Sequence, residues 1–142
     1  MARFSSILLA LFVASAAVAA PVQQRALGSL QCNIDRLKIV TNLALTGAAV
    51  GKIDTTAADA ATAVTTAQAG LKSAGDGIKT IALSLVTGSA PPAEARDQVK
   101  QGLLDAQTAL SGLDNTDSKV ANAQAKLASA ISNGDDVVAD CV

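Results

Sequence analysis

The stretch from Ala57 to Leu85 limits the folds open to this chain more than any other. Its apolar residues fall at Ala57, Ala60, Val64, Ala67, Leu71, Ala74, Ile78, Ile81 and Leu85, spaced alternately by three and four. A period near 3.5 residues puts all of them on one side of an α-helix and conflicts with the two-residue alternation of a strand. Held over this length, it implies left-handed bundle packing at shallow crossing angles. The helix is expected from about Thr55 to Thr87, with Asp54 as its N-cap and Gly88 at the C′ position. A straight helix of that span would be ~50 Å long. A kink is therefore expected near Gly75-Asp76-Gly77, where the ladder keeps its phase.

Three further helices follow from the same periodicity. One is expected from about Ser29 to Val50, with Leu30, Ile34, Leu37, Ala44 and Ala48 in a stripe widened by Val40, Leu43 and Leu45. As the bulkiest helix, it is expected at the centre of the core. Another runs from about Pro92 to Leu113, with Val99, Leu103, Ala106, Leu110 and Leu113 facing inward. Proline is tolerated in a first helical turn, and Glu94 and Asp97 lie near the positive end of the dipole. The last spans about Thr116 to Asp140 on Val120, Ala123, Leu127, Ile131 and Val138, capped by Asp114 or Asn115. Asn133-Gly134 is a place where it can end early, leaving a short final turn. The expected fold is therefore all-α, an antiparallel bundle of four to five helices joined by short connections.

The first nineteen residues are expected to be a secretory signal rather than fold. Arg3 gives a basic start, Ile7 to Val18 an apolar run too short to span a membrane, and Ala17-Val18-Ala19 a small-x-small cleavage pattern. Cleavage is placed after Ala19, with Ala20 as the alternative. Residues 20–28 then form a flexible N-terminus, which a protease can trim after Arg25, and residues 29–142 form one domain. No later segment has the length and hydropathy of a membrane span. The C-terminal Val137–Val142 does not resemble the hydrophobic tail that precedes a glycosylphosphatidylinositol anchor. The mature protein is expected outside the cell or in its wall.

Removing the signal also removes Phe4, Phe12 and Met1, so the mature chain has no aromatic residue, no methionine and no histidine. Without Arg3 its charges are ten basic and twelve acidic, about −2 in all. Nucleic acid, which needs a basic face and commonly stacking rings, is not an expected partner. Cys32 and Cys141 are the only cysteines. In an exported chain they read as a disulfide tying the start of the domain to its end, against free thiols or a bridge between chains.

With no histidine and bridged cysteines, the imidazole and thiolate routes to catalysis are closed, and so is histidine ligation of a metal. The acids fall at caps and on polar faces. Gly75-Asp76-Gly77 lacks the third glycine and the preceding strand of a dinucleotide loop. Asp114–Asp117 has Lys119 and Ala125 where a calcium loop needs glycine and glutamate. Asp135, Asp136 and Asp140 read as a solvated terminal turn. No enzyme activity, metal or cofactor is expected.

The positive signal is a core of Ala, Val, Leu and Ile without one ring. Small residues either let helices approach closely or leave apolar volume between them, so the bundle is expected to enclose an apolar slot or to open and lay its stripes on an apolar surface; each buried methylene of an acyl chain is worth ~0.8 kcal/mol. The candidate apolar contact residues are Ile34, Leu37, Leu71, Ile78, Ile81, Leu103, Leu110, Leu127 and Ile131. The chain also resembles the fungal hydrophobic surface-binding protein A family, which includes cell-wall galactomannoproteins. The similarity lies in the signal ending Ala17-Val18-Ala19-Ala20-Pro21-Val22, the opening helix Ile34-Asp35-Arg36-Leu37-Lys38-Ile39-Val40, the long Ala/Thr helix, the Gly88–Pro92 break and the Ala/Leu helices after it. The resemblance implies a secreted, non-enzymatic bundle that adsorbs to hydrophobic surfaces, recruits a secreted hydrolase to apolar substrates, or binds fatty acids and other lipids. Two alternatives stand beside surface binding: an enclosed fatty-acid carrier, and a structural cell-wall protein O-glycosylated on Thr55, Thr56, Thr62, Thr65 and Thr66.

Overall fold

The computed structural model describes residues 29–141; the expected signal and flexible N-terminus lie outside the described residues. The described chain forms four helices and no strand: α1 (Leu30–Val50), α2 (Ala58–Val86), α3 (Ala93–Ser111) and α4 (Ser118–Asp140).

The helix ends follow local chemistry. Ser29 caps α1 by accepting a hydrogen bond from the Cys32 amide at 3.1 Å. α2 starts later than its sequence suggests. Asp54 accepts from the Thr56 amide at 2.9 Å and so closes a turn in the connection, leaving Ala57 at the N-cap without a side-chain bond. The other end of α2 matches expectation. Gly88 has φ +73°, and the Gly88 and Ser89 amides reach back to the Leu85 and Ser84 carbonyls, the Schellman pattern. Asp117, rather than Asp114 or Asn115, caps α4 through the Lys119 amide at 2.7 Å. Asp114 is occupied by the Thr116 amide and hydroxyl. α4 continues through Asn133-Gly134 to Asp140. α2 is likewise one helix through Gly75–Gly77.

The helices associate as two pairs. α2 packs chiefly on α3 and α1 chiefly on α4, with much smaller contacts between α1 and α2 and between α3 and α4. Both pairs are antiparallel. Gly70 of α2 meets Gly102 and Ala106 of α3, while Gly77 meets Ala95 and Val99. Cys32 near the start of α1 is bridged to Cys141 after the end of α4, with a Cα–Cα distance of 5.0 Å. The core comprises Ile39, Ala49, Val50 and Ile53, then Val64, Leu71 and Ala74, then Val99, Leu103 and Leu110, and finally Val120, Leu127 and Ala130.

Small residues produce close approach between α2 and α3. A β-carbon built on Gly70 would lie 2.6 Å from the Gly102 carbonyl oxygen, and one on Gly77 would lie 2.8 Å from that of Ala95. Here the Ala- and Gly-rich sequence lets backbone pack against backbone.

α1 departs from the expected arrangement. It is not central, and the stripe assigned to the core faces outward. Leu30, Ile34, Leu37, Ala44 and Ala48 are all exposed, while the opposite face buries Cys32, Asp35, Ile39, Thr46, Ala49 and Val50.

Candidate apolar binding surface

The inversion of α1 has a covalent cause. Its disulfide directs Cys32 towards α4. At 100° per residue, Leu30, Ile34 and Leu37 then fall roughly 140–200° away from Cys32, on the solvent side. The bridge and the packing of Ile39 fix the phase of the helix against the pull of its bulkiest stripe.

The buried polar groups that this phase forces inward are satisfied. Asp35 is 1% exposed, and its two oxygens accept from Gln31 Nε2 at 3.0 and 2.9 Å and from Lys38 Nζ at 2.8 Å. Thr46 is fully buried and donates to the Asn42 carbonyl at 2.7 Å. No buried side-chain nitrogen or oxygen lacks a partner among the described residues. Hydrogen bonds from Lys38 and Gln31 hold the Asp35 carboxyl below its ordinary range. The neighbouring Asp35 carboxyl, with partial desolvation and the negative charge of Asp136, pushes the Asp140 carboxyl up.

What remains outside is an apolar strip along α1, bordered by the half-exposed Lys38. Leu30 is 79% exposed, Leu37 67% and Leu45 45%, with Ile34 at 40% and Thr41, Ala44 and Ala48 also exposed. From Leu30 to Ala48 it is ~27 Å long. Single exposed leucines are ordinary; here several share one face of one helix, opposite a buried carboxylate.

The nine contact residues expected from sequence do not form one surface. Ile34 and Leu37 lie on the exposed strip. Leu71, Leu103, Leu110 and Leu127 are buried in the core, and Ile78, Ile81 and Ile131 are half-buried against it. Val40, Leu45 and Val138, read from sequence as inward residues, are exposed, and so are Leu83 and Val86, which sequence reasoning did not single out. The phase of Cys32, Asp35 and Ile39, three and four apart, was the available sign of the true inner face of α1.

A concavity lies over the α2–α3 contact, lined by Thr66, Ala69, Gly70, Ser73, Asp105, Thr108 and Ala109. It is open to solvent, and a carboxylate and three hydroxyls stand among its lining residues. Among the described residues, no helix is long and apolar enough to cross a membrane, and no cluster of acidic or cysteine residues is arranged to hold a metal ion.

Fold and surface together define an all-helical, disulfide-tied bundle that displays an apolar helix face. No family model, curated protein or solved structure matches the chain.

Proposed function

We propose that this is a secreted, non-enzymatic protein that binds hydrophobic surfaces or lipids. The observation that carries this is the inverted first helix, which buries Asp35 and Thr46 while leaving Leu30, Ile34, Leu37 and Leu45 in water. Burial of apolar area against a nonpolar phase is worth roughly 25 cal/mol per Å². A strip of leucine and isoleucine loses little polar hydration on contact. The resemblance to hydrophobic surface-binding proteins agrees with this assignment, and it adds a role in bringing a secreted hydrolase to an apolar substrate. A standing kink of α2 near Gly75–Gly77 belongs to the same proposal.

Depletion of the purified protein onto polystyrene beads tests it. The protein should leave solution, and Leu37→Glu should weaken that depletion without unfolding the bundle. A wild-type protein that stays in solution like a charged control of equal size would sink surface binding.

A further inference from the structure

We infer that the bundle opens along a single seam, parting an α1–α4 leaf from an α2–α3 leaf, and that the inner leaf faces spread on the apolar phase. This rests on the surface binding proposed above: the α1 strip makes the first contact, and opening then adds the inner faces.

The two leaves are held internally by contacts that opening leaves intact. In the α2–α3 leaf, Gly70, Ala74 and Gly77 lie directly on the backbone of α3 at Gly102, Ala106 and Ala95. Gln98 Nε2 adds a bond to the Ser73 carbonyl at 3.2 Å. In the α1–α4 leaf the disulfide joins the helices, and Ile39 packs over Gly134. Asp35 keeps its partners Gln31 and Lys38 within that same leaf, so opening strands no buried charge.

The seam is different. Backbones stand farther apart across it, longer side chains fill it, and at mid-height the Leu43 side chain reaches the Gly75 position of α2. Towards the disulfide end its lining thins. The buried residues of α2 stop at Gly77, and Ile78, Ile81 and Leu85 beyond it are only half-buried. On α4, Ile131 and Val137 are half-buried in the same way.

Connectivity supplies the hinge. Residues 51–57 and 112–117 are the segments that pass from leaf to leaf, and both lie at the end opposite the disulfide. Residues 87–92 join α2 to α3 within one leaf. The disulfide is likewise internal to a leaf, so no covalent link crosses the seam at its open end. Near the hinge, Gln124 Nε2 bonds the Leu110 carbonyl at 2.8 Å and ties the leaves where they must stay together. The faces exposed by opening are Leu, Ile, Val and Ala without a ring, which suits an apolar phase and offers little to a polar partner.

Spin-label distances in the full secreted protein, free and bound to polystyrene nanoparticles, test the seam. Thr41→Cys with Lys79→Cys reports across it, and Lys79→Cys with Arg96→Cys reports within the α2–α3 leaf. On binding, the first distance should lengthen by at least about 10 Å, one helix width, while the second stays fixed. Bound protein with both distances unchanged overturns opening and leaves surface binding intact. Lengthening of both overturns the two-leaf division, because the helices then separate singly. Failure to bind at all defeats the surface assignment, and the seam proposal with it. A bis-maleimide staple between Leu43→Cys and Gly75→Cys gives a second measure. The stapled protein should be retained less than the same variant left uncoupled, and equal retention counts against opening.

Discussion

Gly70 and Gly102 face each other across the α2–α3 contact so closely that neither has room for a methyl group: a β-carbon on Gly70 would stand 2.6 Å from the Gly102 carbonyl oxygen. The obstacle is backbone, which cannot swing aside. Gly102→Ala should therefore destabilise the fold by about 1–3 kcal/mol, despite a helix-propensity gain of nearly 1 kcal/mol. Gly47 in α1 is the control, since nothing lies within 4 Å of its added β-carbon. Gly47→Ala should stabilise by roughly 0.5–1 kcal/mol. Urea unfolding of both variants checks the pair, and equal effects of the same sign would refute the close approach.

Leu37 and Leu110 should respond oppositely in two measurements. Leu37 is 67% exposed and Leu110 fully buried. Leu37→Glu should change stability by no more than about 0.5 kcal/mol while lowering adsorption to polystyrene. Leu110→Ala should cost about 2–5 kcal/mol. For the same reason Leu71→Asp, at a buried position, reports on folding rather than on binding.

The two carboxyls at the disulfide end give opposite pH dependences. Asp35 has a lowered folded value, so its contribution is complete above the ordinary carboxyl range and is lost as pH falls through that lowered value. Asp140 has a raised folded value, so its contribution is complete below the ordinary range and is lost as pH rises through the raised value. Stability should therefore be greatest in mild acid, with Asp35 charged and Asp140 protonated. Asp140→Asn should raise Tm at neutral pH and flatten the decline from mild acid. Asp35→Asn should lower Tm at neutral pH, with the difference shrinking in strong acid. Thermal melts across the acid range decide, and unchanged profiles in both variants would remove the coupling.

Reduction of Cys32–Cys141, which closes a loop with a sequence separation of 109, should lower unfolding free energy by up to ~4–5 kcal/mol in the chain-entropy model. It should also free α1 to rotate, because the bridge holds its phase. Increased hydrogen exchange in α1 and the end of α4, with the centre of α2–α3 still protected, is the expected pattern.

Much of the fold was legible in the sequence. The ladders on α2 and α3 picked out Val64, Leu71, Val99, Leu103 and Leu110, all buried, because those helices have one apolar face each and no competing constraint. Gly88 announced its left-handed turn, since few other residues adopt positive φ cheaply. Caps were harder: Asp54 and Asp114 are good capping residues that instead close turns just before their helices. The candidate surface was half legible. The stripe of Leu30, Ile34 and Leu37 was visible, but hydrophobicity by itself assigned it to the core.

The sequence by itself determined that the described chain is helical and where the helices divide, because three-four apolar spacing and glycine or proline breaks act within a few residues. It also offered a single intramolecular cysteine pairing. Tertiary structure alone decided which face of α1 is inside. That choice depends on the bridge from Cys32 to Cys141, 109 residues away, and on partners for the buried Asp35. It also decided that small residues bring α2 onto α3, while the wider seam between the pairs keeps the longer side chains. Both outcomes rest on contacts between distant segments; locally, the inner face of α1 shows only in the three-four spacing of Cys32, Asp35 and Ile39.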